Sequence, residues 1–239
     1  MTSPIDETLD ALTVGGLKIL QAKHGYRFSL DPVLLCGFVS SVRACCVLDL
    51  GTGNGIIPLL LSARSETRSI VGVEMQAQMA ERAGRTVALN GLGASVRIVQ
   101  GDLRELPFGR LEAAAFDVVT ANPPYRKPGA GRVASDNERG RARHELAGGL
   151  KDFLRATEAM LKRGGSFYVV YLAERLAELL HLLALEQEVS HFPLDGGQVA
   201  RELFEQADQW NGLVRCLWLS IFTSVGVAIA CWAYLDSFL

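Results

Sequence analysis

Short apolar runs alternate with helix-length stretches through most of this chain. Runs of apolar and β-branched residues predict buried strands at 45–50, 69–74, 95–100, 115–121 and 166–172. Apolar residues at helical spacing predict helices at 56–64, 76–90, 150–161 and 173–187. The helix over 76–90 is expected to turn Met79, Ala83 and Val87 inward. Strands that alternate with helices predict an α/β fold with a mostly parallel central sheet and helices on both faces.

Two segments flank this core, which we place at residues 44–187. Residues 1–43 are expected to cap the ligand site, with a short strand or hairpin over 13–21 and then a helix. Asp31 before Pro32 predicts that helix start, with the carboxylate as N-cap and Val33, Leu34 and Phe38 facing the sheet. Alternatively, the aromatic and cationic side chains at 26–28 close over a ligand together with Asp31.

The tail, residues 188–239, departs from the core pattern. Its run over 216–235 is uncharged and has the length of a membrane span, about 20 residues. In one interpretation, 214–222 and 227–235 are the two strands of a hairpin. In the other, the run is a hydrophobic helix, such as a membrane anchor, or a replaced terminus that damages the fold. We favour the hairpin over membrane contact. In either interpretation the tail is expected to be atypical of such an α/β fold.

Composition narrows the class of protein. The 239 residues carry a net charge of −2, which excludes a uniformly basic nucleic-acid coat, so any RNA contact must come from a local patch. The five cysteines have no C-x-x-C spacing, and Cys45 and Cys46 lie in an apolar run, which predicts reduced thiols in a cytoplasmic protein. The four histidines are scattered, so no metal site is predicted. Residues 1–13 lack the features of a secretory signal.

A glycine-rich turn follows the first strand of the core. Residues 51–55 read Gly-Thr-Gly-Asn-Gly and come directly after a strand that carries Asp49. Glycines permit positive φ and close approach of a ligand to the backbone, and the following helix offers free N–H groups. The turn lacks the Gly-Lys-Ser/Thr of a phosphate loop and is shorter than the pyrophosphate fingerprint. It therefore favours a nucleoside ligand without a diphosphate.

Polar side chains end successive predicted strands at one edge of the sheet. Glu74 lies about 20 residues past the glycine turn, where a ribose-binding carboxylate is expected. Asp102 could accept a hydrogen bond from the amino group of an adenine. With Asp49 and Asn122, four strands each bring a polar group to the edge that forms the ligand crevice of such sheets.

Asn122-Pro123-Pro124-Tyr125 ends the fourth strand, because proline lacks the N–H and fixes φ. The Asn122 side chain and the Pro123 carbonyl can each accept one hydrogen of a planar –NH₂ group while Tyr125 stacks on its ring. The nitrogen lone pair is then turned toward an electrophile. The alternative is an ordinary strand-ending turn.

The segment that follows, residues 126–143, is basic and has no apolar periodicity. Six cations oppose only Asp136 and Glu138; they are Arg126, Lys127, Arg132, Arg139, Arg141 and Arg143. Such a run is usually a solvated surface. Because this one adjoins the proposed catalytic turn, we interpret it as an RNA-binding segment.

These motifs resemble those of the class I S-adenosylmethionine-dependent methyltransferases. Residues 25–35, 49–61, 122–132 and 142–145 together are similar to the bacterial tRNA1(Val) adenine-N6-methyltransferases, a resemblance that covers about residues 10–185. It implies a Rossmann-like fold and catalytic roles for Asn122, Pro123, Pro124 and Tyr125. It also implies that S-adenosylmethionine is bound by Phe28, Asp31, Asp49, Gly51, Thr52, Gly53, Gly55, Glu74, Met75, Asp102, Leu103 and Asn122.

The resemblance further implies methyl transfer to the N6 amine of an adenosine in a tRNA anticodon loop, just 3′ of the anticodon. One alternative is glutamine N5-methylation of release factors, since a side-chain amide satisfies the same two acceptors. Another is a non-catalytic RNA-binding or membrane-tethered protein, if the altered tail prevents closure on the cofactor.

Overall fold

The computed structural model describes residues 6–39, 45–64, 67–105, 111–124, 149–172, 175–189 and 227–228. The strands are β1 (Glu7–Ala11), β2 (Lys18–Ala22), β3 (Cys46–Leu50), β4 (Ser69–Glu74), β5 (Val96–Gln100), β6 (Phe116–Ala121), β7 (Leu161–Tyr171) and β8 (Val227–Ala228). The helices are α1 (Asp31–Phe38), α2 (Ile56–Ser62), α3 (Ala77–Leu89), α4 (Leu150–Met160) and α5 (Leu176–Val189).

The main sheet has the strand order β5-β4-β3-β6-β7-β8. Strands β3 to β7 are parallel to their neighbours, and β8 is antiparallel to β7. The chain runs outward from β3 to β5 and then crosses to the other side of β3 to form β6. The point between β3 and β6 is therefore the topological switch of the sheet, where this architecture forms its ligand crevice.

Helices cover both faces of the sheet, as the alternating pattern predicts. Val47 and Leu48 are adjacent on β3, and their side chains enter different apolar cores because successive side chains of a strand point to opposite faces. The core around Leu48 contains residues of α4 and α5, and the core around Val47 contains residues of α1, α2 and α3. The predicted inward face of α3, Met79, Ala83 and Val87, is buried.

Two expectations for the amino-terminal segment are confirmed only in part. The predicted stretch 13–21 contains most of β2 and the turn before it, in which Gly15 and Gly16 have positive φ, but the strand that pairs with β2 is β1, which lies earlier in the chain. The N-cap residue of helix α1 is Leu30, and Asp31 is the first residue of the helix. No side chain makes a capping hydrogen bond at this helix start. Its carboxylate instead accepts a hydrogen bond from the Ser29 hydroxyl, 2.9 Å away. The hydroxyl two residues back thus satisfies the side chain that was expected to cap the helix.

The inward face of α1 also differs from the prediction. Leu35 and Cys36 are buried, whereas Val33 is 37% exposed and Leu34 and Phe38 are half-buried. The short helix leans on α2, so its contacts with that helix, and not the sheet alone, decide which side is buried.

Strand β7 begins five residues before the predicted 166–172. Leu161 follows α4 at once with extended backbone angles, so no separate loop intervenes. The stretch 162–165, which lies between the predicted helix 150–161 and the predicted strand, is part of β7, and Gly164 there has φ +76°. The β6–β7 register shifts between Phe116 and Val118, which accommodates the irregularity as a bulge does.

The described part of the tail is β8. Ala228 pairs with Val170 and Val227 with Tyr171, which agrees with the predicted strand over 227–235 at these two residues. The remainder of the proposed hairpin lies outside the described residues. Among those that are described, no helix combines the length and apolarity needed to cross a membrane.

Candidate functional site

The register of the sheet aligns the strand ends that carry the predicted site. Leu50 pairs with Ala121 on β6 and with Val73 on β4. Glu74 pairs in turn with Gln100 on β5. Gly51 and Asn122, the first residues after β3 and β6, therefore lie at the level of Glu74, the last residue of β4.

An open cleft lies at this edge, with about 560 Å³ of space including its solvent-open mouth. The glycine turn forms its floor, the ends of β4 and β5 form one wall, and the residues after β6 form another. Its lining residues are Tyr26, Gly51, Gly53, Val73, Glu74, Met75, Gln76, Met79, Gly101, Leu103, Asn122, Pro124 and Phe153. The glycine turn and the Asn-Pro-Pro motif thus share one cavity, as the proposed chemistry requires.

The predicted site residues divide into three groups. Those that line the cleft are Gly51, Gly53, Glu74, Met75, Leu103, Asn122 and Pro124. Those that are described but do not line it are Phe28, Asp31, Asp49, Thr52, Gly55, Asp102 and Pro123. Tyr125 and the basic segment 126–143, with Arg126, Lys127, Arg132, Arg139, Arg141 and Arg143, fall outside the described residues.

The glycine turn is shaped by its backbone. Gly51, Gly53 and Gly55 all have φ between +60° and +82°, which side chains with a Cβ adopt only with strain. A Cβ on Gly51 would lie 3.1 Å from the Phe153 ring, and one on Gly53 would lie 3.4 Å from the Tyr26 ring. The turn therefore needs glycine for its path, and at Gly51 also because a Cβ would crowd the Phe153 ring.

Glu74 braces this turn from the end of β4. Its side chain is buried; one carboxylate oxygen accepts the Gly53 N–H at 2.9 Å and the other accepts the Gln76 N–H at 2.8 Å. A carboxylate offers about four acceptor positions, so capacity remains for ligand hydroxyl groups. Because Glu74 also lines the cleft, it fits the ribose-binding role predicted for it.

Asp49 lies behind the turn and is completely buried. One of its carboxylate oxygens accepts a hydrogen bond from the Thr120 hydroxyl at 2.8 Å, and the other has no hydrogen-bond partner among the residues that the structure describes. Burial raises the pKa of Asp49 to about 7; hydrogen bonds such as that from Thr120 oppose the rise, and the nearby charge of Glu74 adds to it. Asp49 is therefore a buried group bound to β6 through Thr120, and it does not line the cleft.

Asp102, predicted to accept the adenine amine, is already bound to Arg104. The side-chain guanidinium of Arg104 donates to both carboxylate oxygens, at 2.9 and 2.5 Å. The backbone N–H of Arg104 donates to one of them at 2.9 Å. This pairing holds the pKa of Asp102 below its ordinary value. The same guanidinium lies 3.9 Å from the sulfur of Met75, which lines the cleft. An adenine amine at Asp102 would therefore share the carboxylate with an arginine.

Sequence reasoning did not select several residues that line the cleft. Tyr26 was considered only as part of an alternative, and Phe28 was preferred in its segment. Phe153 carries no local signal, because an aromatic residue near the start of an amphipathic helix usually packs in the core. Only the position of α4 beside the glycine turn brings Phe153 to the site.

No group of three or more histidine, cysteine, aspartate or glutamate side chains is placed to hold a metal ion in the described part of the chain. The polar groups of the cleft are carboxylate, amide and backbone groups, which suit a nucleoside with hydroxyl and amine substituents.

Comparison with known proteins finds methyltransferases that are similar to the part of the chain around the cleft. A family model described as a methyltransferase domain matches residues 47–128. A tRNA1(Val) (adenine(37)-N6)-methyltransferase of Histophilus somni is 32% identical over 153 residues, which are 64% of this chain and 63% of that protein. The protein of the same name from Yersinia enterocolitica is 32% identical over 158 residues, 66% of this chain and 61% of its own.

A solved structure from Agrobacterium tumefaciens, described as a predicted O-methyltransferase, aligns with a TM-score of 0.49 and 25% identity over 64% of this chain and 66% of its own. The chain spans somewhat less than two thirds of the length of the curated relatives named above. The family match covers the glycine turn, Glu74, Asp102 and the Asn-Pro-Pro motif. Residues 47–128 are therefore similar to the methyltransferase-domain family, and the sheet and helices that they form have the Rossmann-like arrangement.

Proposed function

We propose that this chain transfers the methyl group of S-adenosylmethionine to the N6 amine of an adenosine in tRNA, and that this adenosine lies in the anticodon loop directly 3′ of the anticodon. The observation that carries the proposal is the shared cavity: Asn122 and Pro124 line the same cleft as the glycine turn and Glu74. The names of the relatives from Histophilus somni and Yersinia enterocolitica support tRNA adenine as the acceptor. A tRNA substrate also suits the cytoplasmic location expected from the cysteines.

The residues of the cleft divide into parts that fit the cofactor. Glu74 would accept hydrogen bonds from the ribose hydroxyls, and Leu103 would pack against the adenine ring beside Asp102. Gly51 and Gly53 line the cleft without side chains, which would leave space along the turn for the methionine part of the cofactor. When bound, S-adenosylmethionine supplies an electrophilic methyl group on a sulfonium.

The acceptor amine would be held at the end of β6. The Asn122 side-chain oxygen accepts one N6 hydrogen and the Pro123 carbonyl accepts the other, which draws the nitrogen lone pair out of conjugation. Methyl transfer would form the N6–carbon bond as the sulfur–carbon bond of the sulfonium breaks, with the thioether as leaving group, and the methylated amine would then release its extra proton to water. No strong base is needed once the lone pair is localised, so these residues act by positioning and polarisation. Tyr125 would stack on the adenine, which must leave its own base stack to reach the cleft.

The basic segment 126–143 would carry the RNA to this position. It begins two residues after Pro124 and holds six cations against two acids. Phosphates of a single-stranded loop bind such clusters through charge, and the affinity falls steeply as salt rises. The overall negative charge of the chain is compatible with RNA binding if this segment provides the contact.

The test is transfer of labelled methyl from S-adenosylmethionine to total tRNA, followed by digestion and identification of the modified nucleoside. We expect N6-methyladenosine, and an Asn122→Ala change should lower the transfer rate on the order of 10²- to 10³-fold. Cofactor binding by that variant, measured by calorimetry, should stay within a few-fold of the wild type. An Asn122→Asp change retains an acceptor oxygen and should keep more activity than alanine.

Three further outcomes bear on the assignment. Label in a glutamine of a release factor, with none in tRNA, would favour glutamine N5-methylation by the same two acceptors. Label that persists in tRNA after the adenosine 3′ of the anticodon is replaced by guanosine would disprove the proposed position. Binding of cofactor and tRNA without transfer to any acceptor would overturn the catalytic assignment.

A further inference from the structure

A glutamine outside the methyltransferase core, Gln21, joins the amino-terminal hairpin to the glycine turn. Its side chain is 3% exposed. Its amide oxygen accepts two hydrogen bonds, one from the Phe28 N–H at 3.1 Å and one from the side-chain amide of Asn54 at 3.2 Å. Its amide nitrogen donates to Asp10 at 2.5 Å. One buried carboxamide therefore connects three separate segments of the chain.

The hairpin that carries Gln21 is anchored firmly to α3. Glu7 on β1 pairs with Arg82 at 3.0 Å and with Arg85 at 2.6 Å. On β2, the Leu20 N–H donates to the Thr86 hydroxyl at 3.1 Å. The hairpin can therefore serve as a fixed reference for the groups that Gln21 holds.

Both groups held by Gln21 adjoin residues that line the cleft. Phe28 lies two positions after Tyr26, which lines the cleft and whose ring lies 3.4 Å from the position that a Cβ on Gly53 would take. Asn54 is completely buried and follows Gly53 directly. The Gln21 oxygen thus holds the chain close to Tyr26 on one side and close to Gly53 on the other.

The chemistry of this position suits glutamine in particular. The oxygen must accept two hydrogen bonds while the other end donates to a carboxylate, and only a side-chain amide does both. A glutamate here would place a second carboxylate against Asp10. An apolar side chain of similar size would leave the Phe28 N–H and the Asn54 amide without this acceptor in a buried place, which is costly.

We propose that Gln21 is a positioning residue of the S-adenosylmethionine site, acting by holding Tyr26 against the glycine turn as one wall of the cleft. This inference rests on the proposed use of the cleft for that cofactor, and it does not depend on which acceptor is methylated. Gln21 itself does not line the cleft. Its effect on cofactor binding must therefore pass through the segments that it holds.

The experiment measures the affinity of the full chain for S-adenosylmethionine and its demethylated product by calorimetry. Gln21→Met should weaken binding about tenfold, the equivalent of one lost hydrogen bond to a buried group. Tyr26→Ala should weaken it by a similar or larger factor. The double variant should bind no more weakly than Tyr26→Ala alone, because the wall that Gln21 positions is then absent.

Thr86→Val is the matched control. It removes the α3 hydroxyl that anchors the same hairpin by accepting the Leu20 N–H, whereas the hydrogen bonds from Gln21 to Phe28 and Asn54 do not involve Thr86. It should lower thermal stability and leave the affinity for cofactor unchanged.

Three results would overturn the inference: unchanged affinity in Gln21→Met, effects of Gln21→Met and Tyr26→Ala that multiply in the double variant, or an equal loss of affinity in Thr86→Val. Failure of the tRNA assay alone would overturn the acceptor assignment and leave this inference standing. Absence of cofactor binding by the wild-type chain would overturn both.

Discussion

The buried carboxyl group of Asp49 makes a quantitative prediction about stability and pH. Its pKa rises from an ordinary 3.8 to about 7 in the folded chain, chiefly because burial penalises the charged form. In the unfolded chain the group ionises near its ordinary pKa. The folded state therefore binds a proton over a range of pH in which the unfolded state has lost it.

The sign and size follow from linkage. A raised pKa in the folded state favours folding at low pH, and that advantage is lost progressively as pH rises from about 4 to about 7. Between about pH 5 and pH 8, the two pKa values imply that the free energy of unfolding falls by roughly 2 to 3 kcal/mol through Asp49 alone. Asp49→Asn has no proton to lose and should not show this fall.

Urea unfolding of the wild type and Asp49→Asn at several pH values tests this prediction. Because all other groups are shared, the difference between the two stabilities isolates Asp49. That difference should change with pH in favour of the asparagine variant by about 2 kcal/mol or more from pH 5 to pH 8. The amide oxygen can keep the bond from the Thr120 hydroxyl, so the variant should fold.

Asp117→Asn is the matched control for the same chemical change at a carboxylate of opposite behaviour. Its partner Lys162, with a nitrogen–oxygen distance of 2.6 Å, holds the pKa of Asp117 below its ordinary value. Asp117 is therefore ionised in both states above pH 5, and its contribution is lost only at lower pH. The difference between this variant and the wild type should stay flat from pH 5 to pH 8. Parallel curves for wild type and Asp49→Asn would refute the reasoning for Asp49.

Two further variants test the packing around the cleft. Gly51→Ala places a Cβ 3.1 Å from the Phe153 ring at a residue with positive φ. It should lower the free energy of unfolding by about 1 to 2 kcal/mol in urea titrations, and it should weaken cofactor binding because the ring must shift. Unchanged values of both would contradict this geometry. Glu7→Gln weakens the ion pairs with the buried Arg82 and with Arg85. It should lower the free energy of unfolding by about 1 to 3 kcal/mol in the same titrations. Wild-type stability in the variant would show that these ion pairs contribute nothing.

Much of the core could be predicted because its signals are local. The runs at 69–74 and 115–121 become β4 and β6 within one residue, since β-branched residues between polar positions have few other ways to be buried. The strand ends then place Gly51, Glu74 and Asn122 on one edge, because parallel strands in register end together.

Boundaries and partners were harder to predict. Strand β7 starts at Leu161 because it pairs with Phe116 on β6, a contact that the residues 162–165 do not reveal. Asp102 was expected to accept a hydrogen bond from an adenine amine, but in the structure it forms an ion pair with Arg104. The sequence does not reveal this pair, because the side chain of a residue two positions away could equally have faced solvent.

The sequence by itself determined the alternation of strands and helices, the glycine turn and the prolines that end β6, because each depends on backbone preferences and burial over a few residues. Only the tertiary structure decided that Tyr26 and Phe153 wall the cleft and that Gln21 connects the hairpin to the turn. These contacts join residues from about 30 to more than 100 positions apart, and their free energy exists only when the sheet, the hairpin and α4 are packed together.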